Sequence, residues 1–144
     1  MAFLVRRLGP GDERLARDAV VAMAGECCDD AHLRAWLADP SRHLVVAADD
    51  AGAPIGWVYA YELPRLKTSR SGALLYEIDV AEPHRKKGVA REMIEKLLRV
   101  VRARGVDRMW VLTNVSSEPA MRLYESLGAT RTNPDDAMWE WPLC

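Results

Sequence analysis

The stretch LLYEIDVAEPHRKKGVA, residues 74–90, decides the fold of this chain. It reads as an apolar strand, a short polar turn and the start of a helix. A helix N-terminus leaves backbone N–H groups without partners, and its dipole favours negative charge. Gly88 permits close approach of a bulky anion, and Arg85, Lys86 and Lys87 add positive charge. These residues predict a pyrophosphate-binding turn, and the alternative is that they serve only solubility and tight turning.

A second pattern follows the next apolar run, residues 109–112. Asn114 comes directly after it, and five further residues fall at helical spacing: Ala120, Leu123, Tyr124, Leu127 and Gly128. R-x-x-G-x-A after one strand and N-x5-A-x2-L-Y-x3-G after the next together resemble the GNAT superfamily of acetyl-CoA-dependent N-acetyltransferases. The resemblance covers residues 74–128, and residues 1–73 match only in the order of their elements.

The resemblance implies that acetyl-CoA is the cosubstrate and assigns its contacts. The pyrophosphate is held by the first motif, which comprises Arg85, Lys86, Lys87, Gly88, Val89 and Ala90. Backbone groups of Ile78 and Val80, freed where the strand splays from its neighbour, pair with the pantetheine arm and stabilise the oxyanion. Asn114 touches the same arm, and Tyr124 faces the thioester sulfur and protonates the departing thiolate. Without the family pattern, Asn114 simply ends a strand and Tyr124 is amphipathic core.

Strand alternation suggests where a catalytic base lies. It puts Leu75, Glu77 and Asp79 on one face, opposite Leu74, Tyr76, Ile78 and Val80. An alkyl ammonium must lose a proton before its nitrogen can attack a carbonyl, so an N-acetyltransferase needs a base. We predict Glu77 as the general base, in agreement with the resemblance, and Asp79 is the alternative. The competing interpretation is that both carboxylates merely line a solvated strand face.

Composition bounds the fold and the partners. The 144 residues, 49% of them hydrophobic, suit one domain, and a formal charge of −1 argues against nucleic acid or a membrane as a partner. No apolar run approaches the roughly 20 residues that span a bilayer, and no signal peptide is evident, so we expect a cytoplasmic protein. The spacing of Cys27, Cys28 and Cys144 fits neither disulfides nor zinc, and the three histidines are scattered. We therefore expect no metal.

The periodicity along the chain predicts a single α/β domain, residues 1–144. Strands are predicted at residues 3–8, 43–48, 55–62, 74–80 and 108–112, helices from Pro10, Asp29, Val89 and Ser116 or Ser117, and a closing hairpin of strands at 129–132 and 138–143. The resulting order, β-α-α-β-β-β-α-β-α-β-β, is the one that the GNAT resemblance implies: a central mixed, mostly antiparallel sheet splayed at the acetyl-CoA cleft. Trp139 and Trp141 are predicted to share a strand face and to be core, with an acceptor pocket or a homodimer contact as alternatives.

Acidic residues suggest the class of acceptor. The residues predicted to meet it are Glu26, Asp29, Asp30, Glu77 and Asp79, and further acids that border the cleft in this fold are Glu62, Asp135 and Asp136. A cleft of one charge sign concentrates the opposite sign, which favours a small polycationic amine such as a polyamine or an aminoglycoside. The chain is similar to the aminoglycoside 3-N-acetyltransferase branch of GNAT, which implies a role in antibiotic resistance. The alternatives are a protein N-terminal or lysine acetyltransferase and a non-catalytic acyl-CoA-binding regulatory module.

Overall fold

A computed structural model describes residues 2–26 and 28–143, which leaves Met1, Cys27 and Cys144 outside the described residues. The chain divides into two compact units, Met1–Leu112 and Thr113–Cys144. The first unit contains the sheet and three long helices, and the second contains one helix. That residues 1–144 act as one domain remains a prediction.

The sheet of the first unit has five strands in chain order. They are β1 (Phe3–Leu8), β2 (Arg42–Asp49), β3 (Pro54–Pro64), β4 (Ser71–Val80) and β5 (Met109–Val111). Strands β1 to β4 pair antiparallel, whereas β5 pairs parallel to β4. The predicted mixed, mostly antiparallel sheet is therefore confirmed.

The helices are α1 (Glu13–Ala24), α2 (Asp30–Ala38), α3 (Val89–Ala103) and, in the second unit, α4 (Glu118–Ser126). Leucine and alanine side chains of α1 and α2 form one core with Trp57 of β3. Gly56, the neighbour of Trp57, faces the other side of the sheet, where a Cβ atom would lie 3.1 Å from Met93 of α3. Helices α1 and α2 therefore cover one face of the sheet, the α1–α2 face, and α3 covers the other.

The predicted closing hairpin is absent, because residues 129–143 carry no strand in the structure. Its turn does form, since the Asp135 N–H donates to Asn133 Oδ1 at 2.9 Å and the Asp136 N–H donates to the Asn133 carbonyl at 3.2 Å. The apolar side chains beyond the turn are exposed, Trp139 by 80% and Trp141 by 75%, so their prediction as core was wrong. A hairpin without a packed face is marginal in water.

A β-bulge at Tyr76 changes the predicted alternation along β4. Glu77 pairs with Tyr59, but the next β3 residue, Ala60, pairs with Leu75, so Tyr76 is an extra residue. Opposite residues share a face, so Glu77 and Asp79 lie on one face with Tyr59 and Trp57, as predicted for the carboxylates. Leu75, however, lies on the α3 face, and the rings of Tyr76 and Tyr59 stack at 5.6 Å. Leu74 pairs with Tyr61 and therefore also lies on the α1–α2 face. The predicted faces were wrong for Leu74, Leu75 and Tyr76, because a bulge shifts the alternation on one side of it to the opposite face.

A buried charge cluster on the α3 face joins four elements. His43 of β2 is fully buried, and its Nε2 donates to Glu62 Oε2 of β3 at 2.6 Å. Its Nδ1 lies 3.4 Å from a guanidinium nitrogen of Arg7, which can only donate, so His43 is the neutral Nε2–H tautomer. Arg104, after α3, donates to the same carboxylate of Glu62. Glu62 was predicted to border the acceptor cleft, and its burial in this cluster shows that assignment to be wrong.

The cluster makes stability depend on pH. Burial lowers the pKa of His43, although the bond to Glu62 opposes this, and burial opposes ionisation of Glu62. Hydrogen bonds from Arg104 and His43 outweigh that effect and lower the pKa of Glu62. Both groups therefore bind a proton more readily in the unfolded state than in the folded state. Stability falls as the pH falls below about 6.5, where His43 is protonated in the unfolded state, and falls again below about 4.3, where Glu62 is.

We predict that Glu62→Gln lowers the free energy of unfolding near neutral pH by about 2 kcal/mol, because it removes the charged acceptor shared by buried His43 and by Arg104. The loss of stability below about pH 4.3 is expected to be smaller than in the parent chain. Urea unfolding at a series of pH values measures both effects. Glu95→Gln, which changes a half-exposed carboxylate on α3, is the control and is expected to shift stability by under about 0.5 kcal/mol. An equal effect of the two substitutions would contradict this account.

Candidate functional site

The second half of β4 has an open edge. Pairing with β5 ends at Leu75 and Val111, whereas β4 continues to Val80. The Ala81 N–H donates back to Ile55 of β3 at 2.8 Å, so by alternation the backbone groups of Ile78 and Val80 point away from β3, to the open edge. These are the two residues predicted to meet the pantetheine arm.

Side chains already engage one of these residues. The Val80 N–H donates to Asp79 Oδ1 at 2.9 Å, and Arg85 Nε donates to the Val80 carbonyl at 2.8 Å. Within the described chain, the backbone groups of Ile78 that face the open edge have no partner. Ile78 can therefore bind a ligand amide directly, whereas Val80 can act as an oxyanion donor only after releasing Asp79.

The predicted phosphate turn lies between β4 and α3. A short 3-10 turn, Glu82–His84, leads into it, and both Lys86 (φ 61°) and Gly88 (φ 84°) have left-handed backbone conformations. Among the described residues, none accepts a hydrogen bond from the N–H groups of residues 86–90. Successive N–H groups in such a turn form a concave anion site at the start of a helix.

The basic side chains of the turn have different surroundings. The guanidinium of Arg85 folds back onto β4, where it also lies 3.5 Å from Asp79. Arg85 therefore braces the turn against the strand. Lys86 and Lys87 are exposed and make no ion pair with the described residues, so their charges are available to an anion.

Glu77 and Tyr59 form a pair at the centre of the α1–α2 face. They are opposite each other on β4 and β3, and the Tyr59 hydroxyl donates to Glu77 Oε2. Burial, followed by the hydrogen bond to Glu77, raises the pKa of Tyr59. The phenol therefore stays protonated and continues to donate. The side chain of Glu77 is exposed, so its other oxygen, Oε1, is accessible to solvent.

Four aromatic rings contact Tyr59 of this pair. Tyr59 stacks on Tyr76 and meets the rings of Trp36, Trp57 and Tyr61 edge to face, with centroids 5.2 to 6.2 Å away. Trp36 Nε1 also donates to the Tyr61 hydroxyl at 3.3 Å. Sequence analysis did not identify Tyr59 or Tyr76 as site residues. The aromatic residues at 57, 59 and 61 alternate in the sequence, but only the register shows which of them faces Glu77.

The other acids predicted to bind the acceptor are not gathered around Glu77. Asp29 caps α2, because its Oδ1 accepts from the His32 N–H at 2.7 Å. Glu26 and Asp30 are exposed near the α1–α2 connection, and no described contact links them to Glu77. Of the five predicted residues, the structure brings only Glu77 and Asp79 onto the same stretch of strand.

Asn114 and Tyr124 belong to the second unit. Asn114 precedes α4, and its carbonyl accepts from the Ser117 N–H at 2.9 Å. Ser117 is the N-cap residue, as the sequence allowed, although its side chain makes no capping bond. Tyr124 is half-buried, and burial raises its pKa, so the phenol keeps its proton at neutral pH.

The described residues contain neither a metal-binding cluster nor a membrane-spanning helix. No group of three or more His, Cys, Asp and Glu residues within 2–26 and 28–143 could hold a metal ion. Over the same residues, no helix is long and apolar enough to cross a membrane.

Comparison with curated proteins finds N-acetyltransferases. The chain is 25% identical over 99 residues to N-acetyltransferase 8 of Rattus norvegicus, a match covering 69% of this chain and 44% of that protein. It is 36% identical over 56 residues to the [ribosomal protein bS18]-alanine N-acetyltransferase of Escherichia coli, covering 39% of this chain and 38% of that enzyme. The chain thus spans about half the length, or less, of these two relatives.

Comparison with solved structures finds aminoglycoside acetyltransferases. One from an uncultured soil metagenomic sample is 27% identical, with a TM-score of 0.83 and full coverage of both chains. The enzyme AAC(6′)-Iy, solved with a CoA-based bisubstrate analogue, has a TM-score of 0.79 at 20% identity, again with full coverage of both, and supports the fold. The family model for the acetyltransferase (GNAT) family matches residues 13–129. With the splayed β4 and the turn before α3, this match shows that the chain belongs to the GNAT acetyltransferase family.

Proposed function

We propose that the chain transfers the acetyl group of acetyl-CoA to a primary amine of a small polycationic acceptor, such as an aminoglycoside or a polyamine. The observation that carries the proposal is the exposed carboxylate of Glu77, which Tyr59 holds on the half of β4 that has no β5 partner. An anion-binding turn lies at the end of the same strand. A base and a phosphate site on one strand are what direct transfer from acetyl-CoA to an amine requires.

The proposed reaction proceeds in a ternary complex. The pyrophosphate of CoA binds the N–H groups of residues 86–90 with Lys86 and Lys87, and the pantetheine arm pairs with Ile78. Glu77 takes a proton from the ammonium group, and the nitrogen lone pair attacks the thioester carbonyl carbon. The C–N bond forms, the C–S bond breaks, the attacking nitrogen releases its second proton to solvent, and the thiolate takes a proton. The products are the acetamide and free CoA.

The roles of three residues rest partly on the family resemblance. We propose Tyr124 as the proton donor to the thiolate and Asn114 as a pantetheine contact, both from the sequence motif. We propose Glu77 rather than Asp79 as the base, because Asp79 already accepts from the Val80 N–H and faces Arg85. The Asp79 carboxylate is therefore already occupied by groups of the protein, whereas Glu77 keeps one oxygen without a donor among the described residues.

Two observations favour the small cationic acceptor. The chain aligns over its full length with an aminoglycoside acetyltransferase at 27% identity. In addition, the Tyr59 ring that holds Glu77 belongs to a cluster of aromatic rings, and aromatic faces attract cations. We further propose that the protein is cytoplasmic, that it forms a homodimer and that it has a role in antibiotic resistance.

The second candidate is acetylation of a protein N-terminus. It is favoured by the 36% identity, over 56 residues, to the alanine N-acetyltransferase of ribosomal protein bS18. Release of free thiol from acetyl-CoA, measured with aminoglycosides, polyamines, monoamines and N-terminal peptides, separates the candidates. Mass spectrometry and NMR of the product identify the acetylated amino group. Peptides outperforming every polycation would favour the second candidate, and no thiol release with any amine would favour a non-catalytic acyl-CoA-binding module.

We predict that Gly88→Val weakens acetyl-CoA binding at least tenfold, or about 1.4 kcal/mol, because a side chain and an altered backbone disturb the anion site. Isothermal titration calorimetry measures the affinity. Gly105→Val is the matched control, since Gly105 follows α3 with a φ of 83° and also has open space around it. It is expected to strain the backbone similarly but to bind acetyl-CoA normally. Equal affinities for the two variants would contradict the assignment of the turn.

We predict that Glu77→Gln lowers kcat/KM by roughly 100-fold and flattens the acidic limb of its pH profile, because the variant keeps the size of the side chain but not the proton acceptor. Acetyl-CoA affinity is expected to stay within about twofold. Steady-state kinetics from pH 5 to 9 test this with the best amine of the panel. Asp79→Asn is the control, and a larger loss in that variant than in Glu77→Gln would identify Asp79 as the base.

We predict that the acceptor KM of a polycation rises with ionic strength, because screening shortens the Debye length from about 30 Å at 0.01 M to about 10 Å at 0.1 M salt. The double variant Asp29→Asn and Asp30→Asn is expected to reproduce part of this rise. Asparagine can still cap α2, so the helix is retained while the charge is removed. A monoamine is the control substrate and is expected to be nearly unaffected. A polycation KM that does not respond to salt would contradict charge-based recognition.

A further inference from the structure

Other aromatic rings hold the ring of Tyr59 on several sides, although its hydroxyl lies beside the exposed carboxylate of Glu77. Its ring stacks on Tyr76 at 5.6 Å with an interplanar angle of 26°. Trp57 lies 5.2 Å away and Trp36 6.2 Å away, both edge to face. Rings on several sides leave the phenol few alternative positions. The direction of the hydroxyl is therefore set by packing before any ligand binds.

The hydroxyl engages one oxygen of the carboxylate only. Tyr59 donates to Oε2 of Glu77, and among the described residues no donor contacts Oε1. A carboxylate with one oxygen fixed cannot rotate freely, so its second oxygen has a defined direction. This is the arrangement expected when a base has to meet a substrate proton in one geometry.

We propose that Tyr59 is a positioning residue for Glu77: its hydroxyl fixes Oε2 so that Oε1 is the atom that takes the proton of the acceptor ammonium. This inference rests on the proposed function, because it assigns a proton acceptor within that reaction. Tyr59 does not exchange a proton in the step. The N–H bond of the ammonium breaks, the O–H bond of Glu77 forms, and the phenol O–H remains intact throughout.

The groups around Glu77 on the α1–α2 face are few. Tyr59 is opposite it on β3, Tyr61 lies two residues further along the same face, and Tyr76 and Asp79 are its neighbours on β4. No charged side chain of α1 or α2 contacts it among the described residues, and the cluster of Glu62 lies on the opposite face. A hydrogen bond to the ionised form favours that form. Loss of the Tyr59 hydroxyl therefore makes Glu77 easier to protonate.

Tyr59→Phe is the direct test, because it keeps the ring and its packing but removes the donor. We expect the acidic limb of kcat/KM to move to higher pH, because a hydrogen bond to the ionised carboxylate is lost. We also expect kcat to fall while the KM for acetyl-CoA is unchanged. Tyr61→Phe is the matched control, since Tyr61 lies on the same strand and face but its hydroxyl is paired with Trp36. Its pH profile is expected to match that of the parent chain.

A second measurement does not depend on turnover. Carboxyl carbon NMR of the Glu77 side chain, assigned with Glu77→Gln, follows its protonation directly in the whole protein. We expect its titration midpoint to rise in Tyr59→Phe and to stay in place in Tyr61→Phe. The reciprocal variant, Glu77→Gln, removes the carboxylate whose negative charge disfavours ionisation of Tyr59. We expect one tyrosine to ionise at lower pH in this variant, as followed by ultraviolet absorbance.

These experiments distinguish failure of the positioning role of Tyr59 from failure of the proposed function. If the Glu77 midpoint is the same in Tyr59→Phe and the parent chain, the positioning role is overturned, whatever the amine panel shows. If the midpoint moves as expected but no amine leads to thiol release, the hydrogen bond is confirmed and the proposed function is wrong. The assignment of Oε1 as proton acceptor is then wrong as well. An upward shift in Tyr61→Phe as large as that in Tyr59→Phe would likewise overturn the specific role of Tyr59.

Discussion

The β-bulge at Tyr76 is the constraint on which the candidate site depends. One extra residue in β4 lets Tyr76 join the aromatic rings on the α1–α2 face while Glu77 remains opposite Tyr59. The bulge occurs where β4 loses its β5 partner, since pairing ends at Leu75. Bulges redirect side chains and end regular pairing, and they are common beside active sites. A single local irregularity thus orients the carboxylate and coincides with the opening of the strand edge.

Two glutamates on the central strands show how surroundings determine the role of the same side chain. Glu62 is buried between His43 and Arg104, so its charge is fully compensated and stabilises the fold. Glu77 is exposed, has a single neutral donor, and keeps one oxygen accessible. The first arrangement suits a structural ion pair, whereas the second suits exchange of a proton with a ligand. Position on the α3 face or on the α1–α2 face separates these two environments.

The sequence predicts the parts of this structure that depend on local pattern. Strand β1, the Asp29 cap of α2 and the glycine at the start of α3 are all recognisable, because capping and periodicity act over a few residues. The splay of β4 followed from the family resemblance. The final hairpin was predicted from alternation in residues 138–143, but alternation does not provide a surface on which those side chains can pack.

The register of β4 could not be predicted from the sequence. Nothing in LLYEIDV marks Tyr76 as the extra residue, because a bulge is a property of two paired strands. The pairing of Tyr59 with Glu77 and the burial of Glu62 were missed for the same reason. Both depend on which residues of β3 face those of β2 and β4, and on how α3 covers the sheet.

A crystal structure of the chain with CoA and its best amine acceptor tests the central claim most directly. The account predicts the acceptor nitrogen within about 2.6–3.2 Å of Glu77 Oε1, or one water molecule away, with the Tyr59 hydroxyl still on Oε2. It also predicts the pyrophosphate on the N–H groups of residues 86–90. An acceptor nitrogen bound at Asp79 or away from β4, or a Tyr59 hydroxyl turned away from Glu77, would contradict the account.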